Sequence, residues 1–276
     1  MTILFQRPHE STSFLKNFCY RFIGVPHVGT RLRGRAVFAL FPRTKKQLKI
    51  LEIGCGSAYF SYELQKRGHS VTSLDSLTGI SRQDLNSIKT IFSKGGQTFQ
   101  FIEGTATRLP FPKNSFDAIF IIDVIEHIQE ENKVMQEIHR VLKPGGFFIA
   151  STPALGFHRG RFKRFFRYLH QHTFFRRLPF WDTIQLYPET HMKSEGHVRE
   201  YSLEKWRALC KKHHFSLEDY TYEYKFFGAF FVELYHTFSF VDRYGNYLFF
   251  LFYPWTFLDA FLPIRGTGIA ICAKKC

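Results

Sequence analysis

Ile50-Leu51-Glu52-Ile53-Gly54-Cys55-Gly56-Ser57-Ala58 is an apolar run that ends in an acid and two closely spaced glycines. The pattern predicts a buried parallel strand turning sharply into a helix over Ser57 to Lys66. Glycine suits such a turn because a Cβ would collide with a ligand lying against it. The N–H groups of the turn and of the helix start suit a polar or charged ligand group. Asp75 closes a second run, Ser70-Val71-Thr72-Ser73-Leu74, nineteen residues after Gly56. An acid at that distance can accept both hydroxyls of a ribose. A dinucleotide fingerprint would place a third glycine at position 59, where this chain has Tyr59, and that disfavours a pyrophosphate.

From Leu48 to Thr152 strand and helix signals alternate. Strands are expected at 49–53, 70–74, 98–103, 117–122 and 146–151, with helices near 57–67, 79–93 and 131–141. Gly95-Gly96 and Lys143-Pro144-Gly145-Gly146 read as turns before the third and fifth strands. Such alternation implies an α/β, doubly wound parallel sheet with ligands at the carboxyl ends of its strands.

Five ordered motifs carry a resemblance. They are Leu51-Glu52-Ile53-Gly54-Cys55-Gly56; Leu74-Asp75; Gly104-Thr105-Ala106 with Leu109-Pro110-Phe111; Phe116-Asp117 through Glu126-His127-Ile128; and Leu142-Lys143-Pro144-Gly145-Gly146. In this order they resemble the class I S-adenosylmethionine (SAM) methyltransferases, most closely the type 11 branch to which quinone-biosynthesis methyltransferases are related. The resemblance covers about residues 48 to 153, with shorter echoes near 196–215 and 267–275. It implies a Rossmann-like seven-stranded sheet whose last strand, 267–274, runs antiparallel beside a sixth at 216–224. It also implies SAM as cofactor. Glu52 would face the methionine ammonium, Gly54, Cys55 and Gly56 would pass under the cofactor, and Asp75 with Ser76 would hold the ribose. Thr105 and Ala106 would sit against the adenine, and Ile122 would end the fourth strand beside the crevice. Ala58 stands where the family usually has glycine and Thr105 where it usually has aspartate, so a hydroxyl or backbone group is expected at adenine N6.

The fourth strand runs into Asp123-Val124-Ile125-Glu126-His127, which on this resemblance places Asp123 and His127 near the sulfonium methyl. Both are catalytic candidates, His127 being the better base near neutral pH; the alternative is that Glu126-His127 caps and packs its own turn. Asp123, Glu126 and His127 also have ligand chemistry for a divalent cation, but adjacency alone does not make a site, and no metal is assigned. Gly196-His197-Val198-Arg199-Glu200-Tyr201-Ser202 resembles the family's acceptor-side loop, making His197, Arg199 and Tyr201 substrate-binding candidates or, equally, loop anchors. Ser202 is the expected N-cap of a helix over Leu203 to His213.

The charge is unevenly placed. Residues 1–49 carry ten Lys/Arg and one acid, and 151–181 carry seven Lys/Arg and no acid, while the whole chain is +15. The flanks are therefore basic (+9 and +7, leaving about −1 for the rest) and the cofactor region is not. Five scattered cysteines without a C-x-x-C pair point away from a disulfide framework or zinc site and towards a reducing cytoplasm, and no secretory signal is read in the first fifteen residues. Residues 1–47 read as a basic helical cap, with helices from Ser11 or Ser13 to Phe22 and from Arg31 to Phe41, or else as a solubilising arm. The core then covers 48–153, and 154–200 form a basic aromatic insertion with the acceptor-side loop. A helix and the sixth strand occupy 201–225, an aromatic helical insertion 226–264 and the last strand 265–276, within one structural domain.

Phe157 to Trp181 interleaves basic and aromatic residues so that Phe162, Phe165, Phe166 and Leu169 share a helical face. It suits an anionic membrane surface, its own domain or a nucleic acid. In 226–264, Phe226, Phe227, Phe230, Phe231, Leu234, Tyr235 and Phe238 recur at helical spacing, and Leu248 to Leu258 is apolar throughout. The run is shorter than the roughly 20 residues of a membrane span, so it is expected to dip into one leaflet, wrap the core or form a homodimer seam. The functional expectation is SAM-dependent methyl transfer to a small-molecule, lipid, polyprenyl or quinone-precursor, or lipid-linked glycan acceptor by a cytoplasmic protein peripheral on the inner face of a membrane. The alternatives are a non-catalytic scaffold of the same fold and an RNA methyltransferase using the basic flanks, nucleic acid being the less favoured partner.

Overall fold

The structure is a computed structural model that describes residues 28–77, 82–154, 196–237 and 253–276, together with 165, 168 and 172. The expected helix ending at Phe22, the basic aromatic helix over 157–181 and the apolar stretch 248–252 lie outside the described residues. Within them the order is α1 (Val28–Leu40), β1 (Lys49–Ile53), α2 (Tyr59–Lys66), β2 (Ser70–Asp75), α3 (Arg82–Lys94), β3 (Gln100–Glu103), β4 (Phe116–Ile122), α4 (Glu131–Val141), β5 (Leu142–Pro153), α5 (Leu203–Lys212), β6 (Phe215–Glu223), α6 (Phe226–Thr237) and β7 (Gly268–Lys275). Short 3-10 turns cover Ile125–His127 and Tyr253–Phe261.

The seven strands form one sheet in the order β3-β2-β1-β4-β5-β7-β6. β1 pairs parallel with β2 and β4, and β4 with β5, whereas β7 runs antiparallel to both β5 and β6. The order reverses beside β1, so a crevice opens at the carboxyl ends of β1 and β4. β4 is central and reads Phe-Asp-Ala-Ile-Phe-Ile-Ile because side chains on both of its faces are buried. On one face Ile119 and Ile121 join Val134, Met135 and Ile138 of α4 and Trp206 and Leu209 of α5. On the other, Ala118 and Phe120 join Val37 and Leu40 of α1 and Phe60 and Leu64 of α2.

Two boundaries depart from the sequence pattern. α2 begins at Tyr59 rather than at 57 because Gly56 and Ala58 both take left-handed backbone, φ 48° and 57°. β5 begins at Leu142, opposite Phe116, and then takes a register shift. Lys143-Pro144-Gly145-Gly146 is thus an irregularity inside the strand, not a turn before it, with Gly145 at φ 71°.

α1 is seated by specific contacts. An added Cβ on Gly34 would lie 3.0 Å from the Tyr59 ring, so the glycine lets α1 cross the start of α2. The Tyr224 hydroxyl donates to the Gly29 carbonyl at 2.7 Å. At the opposite side of the molecule, Ser202 Oγ accepts from the Lys205 N–H at 3.1 Å and caps α5 as expected. Replacing Ser202 with Ala should cost about 1 kcal/mol of stability, read as a lower denaturant midpoint; an unchanged midpoint would mean that water satisfies the helix end equally well.

Candidate functional site

The turn after β1 is fastened to the end of β2. The Gly54 and Cys55 N–H groups donate to the Leu74 carbonyl at 2.7 and 3.2 Å, and the Gly56 N–H donates to Asp75 Oδ2 at 2.8 Å. The two glycines serve different needs. A Cβ on Gly54, at φ 71°, would lie 2.2 Å from Val124 Cγ2, so this glycine makes room for the β4 loop rather than for a ligand. A Cβ on Gly56, at φ 48°, would meet none of the described residues within 4 Å, so among them the main chain there borders open space.

Asp75 stands beside that space. Its carboxyl pKa is raised by partial burial, against the lowering effect of hydrogen bonds from the Gly56 and Ser76 backbone. A carboxylate offers about four lone-pair sites, so it keeps acceptor capacity for a pair of hydroxyls. The Gly104 N–H donates to the Asp75 carbonyl at 3.0 Å, which brings the next loop alongside. In that loop Ala106 is buried and Thr105 exposed, with the Thr105 and Thr107 hydroxyls 3.3 Å apart. Ile122 is buried at the end of β4 and Cys55 is buried in the turn, its thiol pushed well up by burial and unsuited to nucleophilic work.

Glu52 is placed differently from its expected role. It is buried, and Oε2 accepts from the Ser61 N–H at 2.9 Å and from the Ser61 hydroxyl, which in turn lies 2.7 Å from Ser73 Oγ. Burial pushes its pKa up to about 8 despite the Ser61 bonds. The side chain thus anchors the first turn of α2 under the crevice.

Asp123 follows β4 with φ 52°, and its N–H donates to the Ser151 carbonyl at 2.9 Å. Its carboxylate pairs with Arg33 of α1. Arg33 Nε also reaches Glu223 Oε2 at 3.3 Å, and Glu223 Oε1 accepts from Ser151 Oγ at 2.6 Å. Glu223 is buried; burial raises its pKa and Arg33 opposes the rise. The room for it comes from the strand beside it, since a Cβ on Gly268 would lie 2.7 Å from Glu223 Oε2. Sequence reasoning missed Arg33 and Glu223. The one available signal was an acid ending an otherwise expected strand.

The acceptor-side candidates divide. His127 is exposed and its ring lies 4.7 Å from that of His197, centroid to centroid. Glu126, His127 and His197 bring ligand-capable atoms within 4.8 Å of one another, whereas Asp123, named with Glu126 and His127 in the cation reading, is engaged by Arg33 instead. Arg199 and Tyr201 serve the loop. Arg199 donates to the Ile128 and Gln129 carbonyls at 2.7 and 2.8 Å. Tyr201 is fully buried, stacks on Trp206 and donates to Glu131 Oε2 at 2.9 Å. Both hold the Glu126–His127 turn in place, and an acceptor would reach neither Tyr201 nor the committed face of Arg199 without displacing these bonds.

Residues 51–150 match the methyltransferase domain family. Over this stretch the chain is similar to SAM-dependent methyltransferase domains. The stretch runs from β1 to β5, the strands that build the crevice. The sterol 24-C-methyltransferase ERG6B of Gibberella zeae is 36% identical over 107 residues, 38% of this chain and 27% of that protein. The demethylmenaquinone methyltransferase of Listeria welshimeri is 31% identical over 134 residues, 46% of this chain and 55% of that protein. The chain thus spans between about a quarter and about half the length of these curated relatives. Among solved structures, a putative sarcosine dimethylglycine methyltransferase from Galdieria sulphuraria superposes with a TM-score of 0.57 at 17% identity, over 95% of this chain and 98% of that one, a likeness of fold. The cofactor of the domain class is SAM, and the crevice fits it: open space over Gly56, a carboxylate at its edge, and a small buried residue, Ala106, beyond.

The buried acids set a pH dependence. Glu52 is raised from an ordinary 4.5 to about 8, so the stability tied to its protonated form is complete below pH 4.5 and is lost as pH rises towards 8. Glu223 acts with the same sign. Asp117 and Glu137 are lowered by Lys143 and Arg140; their contribution is present above the ordinary carboxyl range and lost below it. The thermal midpoint should therefore fall by several degrees from mildly acid to mildly alkaline pH, and Glu52→Gln should flatten that fall. A wild-type profile already flat over this window would contradict the burial of Glu52.

Proposed function

We propose that this chain is a SAM-dependent methyltransferase whose acceptor is a small molecule or lipid, of the polyprenyl, quinone-precursor or lipid-linked class, met at a membrane surface. The observation that carries the reading is the Gly56 turn held open by Asp75 within the matched domain. The sulfonium cofactor supplies an already activated methyl group, so the protein's task is largely to bring two reactants together. Asp75 and the 104–106 loop are suited to fix the nucleoside. His127, exposed at the rim beside His197, is the group suited to take the proton an acceptor hydroxyl or amine gives up. Asp123, held by Arg33, is suited to orient the acceptor from the other side.

The class of acceptor is supported by composition and by relatives. The insertion between β6 and β7 holds eleven Phe in about forty residues, and the names of two relatives specify a sterol and a demethylmenaquinone as what those proteins methylate. Among the described residues no helix is long and apolar enough to cross a membrane, so contact would be with one surface.

Calorimetry with SAM and S-adenosylhomocysteine tests the cofactor half. Both should bind, and Asp75→Ala should weaken them by about 1–3 kcal/mol. No binding by the wild type would leave a scaffold of the same fold. For the acceptor half, membranes incubated with methyl-labelled SAM should gain label in the organic-extractable fraction. His127→Ala should cut that incorporation at least about tenfold with cofactor affinity unchanged. Label confined to protein or RNA would overturn the acceptor class.

A further inference from the structure

The 3-10 turn Tyr253–Phe261 has its polarity inside out. Thr256 and Asp259, 0% and 6% exposed, face the protein. Arg35 of α1 donates to Thr256 Oγ1 at 3.2 Å and to its carbonyl at 2.9 Å. The two Asp259 oxygens accept from the Phe227 and Gly228 N–H groups at 2.8 Å each, capping the start of α6. Gly228 allows this approach, since a Cβ there would lie 3.0 Å from Asp259 Oδ2. Lys225 then ties down the following residue by donating to the Leu262 carbonyl at 2.9 Å. The opposite face carries Trp255, Leu258, Phe261 and Ile264, Phe261 being 83% exposed.

A turn that merely covered its own core would be built the other way round, because burying an acid while exposing Trp and Phe is unfavourable in water. A contiguous apolar face held outward by buried polar bonds marks a contact surface. The charge selects the partner. Three cations lie at or beside the turn, Arg35, Lys225 and the exposed Arg265, and the turn's own acid is committed to α6. Two copies meeting here would bring like charges together, whereas an anionic bilayer attracts them and accepts Trp at its interface.

We infer that the turn Tyr253–Phe261 is a wedge that enters the headgroup region of an anionic lipid bilayer, with Trp255, Leu258 and Phe261 as the inserting side chains. This rests on the membrane-surface reading of the proposed function and adds where the surface is met. Its position has a consequence. α1 reaches the wedge through Arg35 and Asp123 through Arg33, so a molecule leaving the bilayer here would arrive one helix away from the crevice.

The test is co-sedimentation of the full chain with phosphatidylcholine vesicles with and without phosphatidylglycerol, wild type against the Trp255→Ser, Phe261→Ser double variant, with S-adenosylhomocysteine calorimetry and a thermal midpoint on both proteins. The wild type should prefer the phosphatidylglycerol vesicles, and the variant should bind them at least about tenfold more weakly, with midpoint and nucleoside affinity unchanged. Brominated lipid should also quench part of the emission in a Trp181→Phe background, that of Trp255, while the fully buried Trp206 stays out of reach. The wedge is overturned if the wild type binds the nucleoside but no vesicles, if the variant binds vesicles equally well, or if the variant converts a dimer into a monomer. Vesicle binding by a wild type that takes no nucleoside would leave the wedge standing and remove the methyltransferase reading.

Discussion

One hydrogen bond organises the crevice: the Gly56 N–H donated to the carboxylate of Asp75, 2.8 Å away. It spans the ends of two neighbouring strands and fixes a main-chain bend that has no side chain to fill the space above it. The preceding strand is clamped on both sides, β1 lying between β2 and β4. Val124 supplies the other constraint, since it occupies the place a Cβ on Gly54 would need. The turn is therefore shaped by the protein itself, before any ligand enters.

The second organising feature is the ion-paired cluster around Arg33. One arginine on α1 spans Asp123, at the end of β4, and Glu223, at the end of β6. Arg33 and Asp123 are partly exposed, but Glu223 is buried, so removing Arg33 would leave the Glu223 carboxyl without its charged partner. The cluster thus gives α1 a definite seat over the crevice, and Arg35 and the Tyr224 hydroxyl reinforce that seat from two further directions.

The sheet was legible in the sequence because parallel strands buried on both faces read as continuous apolar runs, and Phe116–Ile122 is such a run. The place of Asp75 at the end of β2, beside the glycine turn, was legible because that distance is set by the strand-helix-strand repeat. Other roles depended on contacts between distant segments. Arg33 and Glu223 are 190 residues apart, and the space for the Glu223 side chain is defined by Gly268 on the next strand. Arg199 and Tyr201 read equally as acceptor ligands or as loop anchors, and only the folded chain brings the carbonyls of 128–129 and the acid of Glu131 to them. Likewise, the apolar residues after 252 show in sequence that they are hydrophobic, not which way they point. The buried bonds of Thr256 and Asp259 supply that direction.

The central claim is that the open bend at Gly56 and the carboxylate of Asp75 together form the seat of a sulfonium nucleoside. A crystal structure of the chain soaked with S-adenosylhomocysteine tests this most directly. The account predicts the nucleoside lying across Gly56, its ribose hydroxyls on Asp75 and its base against Thr105 and Ala106. Density for the compound elsewhere, or a ribose out of reach of Asp75, would contradict it.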